Sequence, residues 1–134
     1  MDHRATSELL ELKKKAIDGM VSYMKFGGAE SEDDPDYDPE FDAGYTQEHV
    51  DQCLKILDDF LAGLSTISGP QKDERILKLV QVAVEGLNKI NAECEGSLIE
   101  TDQREELCEL INSAVQHAGL DSGERDITEE WREW

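Results

Sequence analysis

The segment from Ile76 to Leu87 constrains the fold most. It carries Ile76, Leu77, Leu79, Val80, Val82, Ala83, Val84 and Leu87 at helical spacing with almost no polar face. Such a helix belongs in the middle of a bundle. Pro70 sits well in a first helical turn, where no N–H partner is needed, and the pattern runs on to about Cys94.

Three other segments supply companions. Over about 7–26, Leu9, Leu10, Ile17, Met20, Val21 and Met24 share a stripe opposed by Glu11, Lys14, Lys15 and Asp18, and Gly27-Gly28 ends it. Over about 46–64, Thr46 is a natural N-cap for Val50, Cys53, Leu54, Leu57, Phe60, Leu61 and Leu64. Over about 102–118, Asp102 and Glu105 stand at capping-box spacing ahead of Leu107, Cys108, Leu110, Ile111, Ala114 and Val115. A short helical piece is expected at 128–133. No stretch shows convincing strand alternation. The expected architecture is therefore one all-α domain over 1–134, an antiparallel up-down four-helix bundle. It has a long acidic first connection, 27–45, and a short C-terminal helical tail.

Charge decides which partners are possible. The 134 residues hold 32 acids against 13 Lys and Arg, a net −19. Nucleic-acid phosphates and anionic lipids repel such a chain, so neither is an expected direct partner, whereas a basic protein surface attracts it. No apolar run approaches the ~18 residues of a membrane span, and the first twelve residues lack a basic region followed by an apolar stretch. With three widely spaced cysteines, Cys53, Cys94 and Cys108, the expectation is a cytoplasmic protein with reduced thiols.

The charge is concentrated. Residues 30–42 alone carry −8, and no Lys or Arg lies between Lys25 and Lys55. Three readings compete for this connection. It is a mobile solvated connector, or a docking strip, or a calcium site. In the docking strip, Tyr37, Phe41 and Tyr45, spaced by four, anchor a partner between Asp34, Asp36, Asp38, Glu40 and Asp42. The calcium-loop spacing fails in both registers: starting at Asp34, Pro39 takes the glycine position and Tyr45 the final glutamate; starting at Asp38, these are Ala43 and His49. Only an irregular site on Asp34, Asp36 and Asp38 is left. As a mimic of nucleic acid the connection alone is too sparse. Alternate acids on an extended chain fall about 6.6 Å apart, against about 3.4 Å per phosphate along one DNA strand.

Candidate chemistry is thin. His49 and Cys53 are four apart on one helix, but two ligands do not fill a zinc site. Cys94 lies between Glu93 and Glu95, which oppose a thiolate. His3 and His117 have no pattern around them. No di-metal Glu-x-x-His pair, phosphate loop or nucleophile elbow is present. The reading is of a protein that is not an enzyme and uses neither metal nor cofactor.

In the tail, Ile127, Trp131 and Trp134 stand at i, i+4 and i+7, either folding back to cap the bundle or presenting Trp131 and Trp134 to a partner. The function expected is that of a non-catalytic acidic module that docks on or neutralises a basic protein. In general shape the chain resembles small acidic bacterial immunity or inhibitor proteins, a likeness of class that carries no residue across. The alternative is a structural or regulatory homo-oligomer whose charge serves solubility.

Overall fold

The computed structural model describes residues 3–29, 31–121, 123 and 125–134. The described residues form four α-helices and a short 3-10 turn: α1 (His3–Phe26), α2 (Gln47–Thr66), α3 (Lys72–Glu93), α4 (Thr101–His117) and η1 (Ile127–Glu130). Each helix buries one stripe. Leu9, Ala16 and Met20 of α1 meet Val50, Cys53, Leu57, Phe60 and Leu64 of α2. Ile76, Val80, Val84 and Leu87 of α3 and Leu107, Leu110, Ile111, Ala114 and Val115 of α4 complete the core. Side-chain pairs fix the directions. Lys13 reaches Asp58 and His117 reaches Glu8, while Leu79 lies over Gly63 and Ile56 over Gly86. Neighbours are therefore antiparallel, and the all-α four-helix bundle is confirmed.

The helices do not pack evenly. α1 pairs closely with α4, α2 with α3, and α1 also with α2, but α3 and α4 meet mainly through the C-terminal segment, which packs on both. α3 consequently does not occupy the middle of the bundle. Its inner side is buried, while Leu77 and Leu79 are half-buried and Val82 is 57% exposed. An apolar circumference shows that a helix can be buried all round, but the number of neighbours is set by the rest of the chain.

Helix ends follow capping chemistry. Thr46 is the N-cap of α2 as expected, and its backbone N–H donates to His49 Nδ1 at 3.1 Å. His49, weighed above as a metal ligand, is thus a capping acceptor. Three expectations are corrected. Pro70 lies in the turn before α3, because Gln71 takes a left-handed φ of 62° and the helix begins only at Lys72. α4 is capped two residues before Asp102 by Glu100, whose backbone N–H donates to the Gln103 side chain at 3.2 Å. The tail forms only the 3-10 turn, so Trp131 and Trp134 do not share a helical face.

The four buried polar residues among those described all tie down non-helical chain. Asn91 Oδ1 accepts from Ile99 N at 2.9 Å and fixes the α3–α4 turn. Gln103 caps α4. Asn88 donates to the Trp131 carbonyl at 2.7 Å and accepts from Glu133 N at 3.0 Å. The Thr128 hydroxyl donates to Asp126 Oδ1 at 2.6 Å. Buried polar groups persist only when paired, so each of these also specifies one path for the chain.

Candidate functional site

The acidic connection is neither extended nor free of the bundle. Its chain from Asp34 to Tyr45 reads Asp-Pro-Asp-Tyr, Asp-Pro-Glu-Phe, Asp-Ala-Gly-Tyr, a tetrad written three times. The first Asp of each tetrad accepts from the backbone N–H two residues on. Asp34 takes Asp36 N, Asp38 takes Glu40 N and Asp42 takes Gly44 N, each at 2.9 Å. These are Asx turns. Backbone bonds from Tyr37 N to the Asp34 carbonyl and from Phe41 N to the Asp38 carbonyl close the first two tetrads. The spacing of carboxylates along an extended strand, on which the mimicry arithmetic rested, does not apply.

The last residue of each tetrad turns inward. Tyr45 is buried, and its hydroxyl donates to the Met20 carbonyl at 2.6 Å. Burial is the main cause that pushes its phenol up from the ordinary value of 10.0. Phe41 packs edge-on against Tyr23 with centroids 5.4 Å apart, and Tyr37 meets Phe26 at 6.2 Å. Gly27, at φ +62°, lies under the Phe41 ring, where a Cβ would stand only 3.2 Å from it. A side chain there would be strained twice, by its φ and by the ring. The three aromatics read as partner anchors therefore bind the connection to α1. Tyr37 and Phe41 are half-buried, and the acids Asp36, Asp38, Glu40 and Asp42 are exposed while Asp34 is half-buried.

Around this connection the bundle collects carboxylates. Gly44 abuts Ser97, and Asp42, Ala43 and Gly44 line a cleft of about 350 Å³ with Glu93, Cys94, Glu95 and Ser97. The first turns of α4 add Glu100, Asp102, Glu105 and Glu106. Residues 31–51 and 93–109 together hold 16 of the 32 acids and one of the 13 bases, Arg104. One end of the molecule is thus an anionic surface on a fixed backbone. Glu106 lies against Gly19 of α1, with Oε2 buried and unpartnered. Burial raises its pKa above the ordinary 4.5, with Lys15 opposing and Asp102 and Glu109 adding to the rise.

Among the described residues no three His, Cys, Asp or Glu side chains are placed to share a metal ion. The thiols sit in apolar or hydroxyl surroundings. Burial pushes Cys53 up to about 12, and Cys94 and Cys108 also rise chiefly through burial. No thiolate is favoured at neutral pH. No helix among those described is long and apolar enough to cross a membrane.

The two tryptophans lie in the α3–α4 seam rather than over an end of the bundle. Asn88 of α3 brackets Trp131 and Glu133. Asn112 of α4 donates to Asp126 Oδ1 at 3.0 Å and accepts from Ile127 N at 2.8 Å. Trp131 and Trp134 are half-buried, and the Arg132 guanidinium stands 5.5 Å from the Trp134 ring centre. Residue spacing singled out the connection and the tail, but the two lie on different elements and form no joint site. The signal missed in the connection is the threefold Asp-x-x-aromatic repeat, which separates an outward acid from an inward ring. No protein-family model, no curated protein and no solved structure matches the chain.

Proposed function

We propose that this chain is a non-catalytic acidic module that docks on or neutralises a basic protein, working in the cytoplasm without cofactor or nucleic acid. The supporting observation is the anionic end of the bundle, where turns and inward aromatics hold the acids of the connection on a preorganised surface. Fixed charges lose less entropy on binding than charges on a floppy strip. Electrostatic complementarity then raises the association rate and rejects acidic competitors. The contact is made by carboxylates rather than by Tyr37, Phe41 and Tyr45, whose rings are engaged with α1.

The test compares two variants of equal charge. One replaces Asp34, Asp36 and Asp38 by Asn and Glu40 by Gln. The other replaces Asp121 by Asn and Glu129, Glu130 and Glu133 by Gln. Asn can keep the Asx-turn bonds, so both should fold. Partners of high pI captured from the source cell by the parent protein should be lost tenfold or more from the first variant, and the loss should shrink as salt rises. Equal weakening by both variants would mean that net charge, not this end of the bundle, carries the binding, and would refute the proposal.

A further inference from the structure

The outer seam of α2 and α3, on a different face from the acidic connection, carries an apolar strip that no described residue covers. Val82 lies at its centre, one of two large apolar side chains among the described residues exposed by about half or more. Beside it Leu79 lies flat over Gly63 and Ile56 flat over Gly86, contacts so close that a Cβ on either glycine would stand 3.0 Å from the facing methyl. Shallow clefts of about 120 and 250 Å³ flank Leu79, reaching Phe60 on one side and Ile67 on the other. The two glycines thus flatten the seam into a smooth apolar face.

The two helices of the seam differ in charge, α2 holding four acids against one base. α3 has four bases and four acids, so it is neutral in a chain of net −19. Along its exposed side Arg75, Lys78, Val82, Glu85 and Lys89 follow one another at intervals of three and four, all exposed. We infer that this face pairs with a second copy of the same chain, about a two-fold axis that passes between the two Val82 side chains with the α3 helices antiparallel. At about 1.5 Å rise per residue, Lys78 of one copy then comes level with Glu85 of the other, and the contact is repeated by symmetry. Arg75 would fall level with Lys89, but it leans away to the Ser68 carbonyl at 3.4 Å. The antiparallel arrangement also sends the two acidic ends to opposite poles, whereas a parallel one would set them side by side.

The charge favours a copy over another occupant. A strongly basic partner would meet Arg75, Lys78 and Lys89, and an acidic one would meet Asp59 and Glu85. A face with both signs in register complements itself. Two helices about 30 Å long and together about 20 Å wide present about 600 Å², below the ~800 Å² per partner of standard interfaces and in the range of a weak, reversible one.

Sedimentation equilibrium tests the pairing. The expected result is a reversible shift from 15.1 kDa to twice that mass below about 0.2 mM, where even weak specific contacts register. Lys78→Glu should weaken it at least tenfold, and adding Glu85→Lys should restore it. Both positions are exposed, so neither change threatens folding. Val82→Cys should form a covalent dimer under mild oxidation, and Leu10→Cys, the other exposed large apolar position, should not. A single 15.1-kDa species throughout, or a dimer indifferent to Lys78→Glu, overturns the inference. The four-fold substitution at Asp34, Asp36, Asp38 and Glu40 should leave the dimer intact, so failure here and failure of basic-partner docking are separable.

Discussion

The acidic connection and the C-terminal tail both lie outside the four α-helices, both bear aromatics and both pack against the bundle, yet most of their side-chain hydrogen bonds run differently. The connection carries its own instructions: each Asp bonds two residues ahead and each ring follows three residues after its Asp. The tail has one such local bond, Thr128 N to Asp126 Oδ1 at 3.0 Å, but is tied mainly to side chains outside it. Its bonds run to Asn88, 43 and 45 residues away, and to Asn112, 14 and 15 residues away. Locally encoded order should survive the loss of any one bond, whereas order imposed by two side chains should fail when either is removed.

The largest effect should come where the connection enters the core. Tyr45→Ala removes a buried ring and the extra hydrogen bond to the Met20 carbonyl, and should cost about 3–5 kcal/mol in chemical denaturation. Tyr45→Phe keeps the packing and loses only the hydroxyl bond, about 1 kcal/mol. If Tyr45→Ala cost under 1 kcal/mol, the connection would be an appendage and the comparison would collapse.

For the tail, Asn112→Ala leaves Ile127 N without its partner and takes one of several hydrogen bonds from Asp126, and should cost about 1–3 kcal/mol. The more telling readout is local. Trp131 and Trp134 should shift to longer emission wavelength and become open to quenchers while helix content holds. Asn88→Ala should do the same. Unchanged emission in both would show that apolar contact alone holds the tail.

These two segments also mark how far the sequence could be read. The helices, the Thr46 cap and the stop at Gly27 were legible because their signals lie within a few residues. The placement of α3 was not, because all-round hydrophobicity does not say which neighbours arrive, and here the tail takes the place of close α3–α4 packing. The α4 cap was misplaced by two residues because a glutamate and glutamine pair, Glu100 and Gln103, does what a Ser or Thr box does elsewhere. Charge and aromatic spacing located the connection correctly. Which way its rings faced depended on α1, where Phe26, Tyr23 and Met20 lie 11, 18 and 25 residues before Tyr37, Phe41 and Tyr45, and no local pattern contains that.

Acid should release the tail. Burial by itself would raise the Asp126 carboxyl, but hydrogen bonds from Asn112 and Thr128, with Arg132 nearby, bring it below the ordinary 3.8. A carboxylate whose folded pKa lies below its unfolded value stabilises fully above the unfolded value and loses that contribution as pH falls through the folded one. Tryptophan emission should therefore move to longer wavelength below about pH 4, and Asp126→Asn should flatten that step. A step of the same size in the variant would assign the transition to other groups.

The smallest effect separates charge from turn chemistry in the connection. Replacing Asp34, Asp38 or Asp42 singly by Ala removes one Asx bond and should cost about 0.5–1 kcal/mol, while Asn at the same position should cost close to nothing. Asn keeps the acceptor and removes the charge, so it should even relieve repulsion among neighbouring acids at low salt. Hydrogen exchange at the amides of Asp36, Glu40 and Gly44 reads each turn separately: Ala should unprotect only the amide two residues on, and Asn should leave it protected. If Ala at Asp38 exposed all three amides together, the tetrads would act as one unit. The connection would then resemble the tail, whose parts stand or fall with a shared anchor.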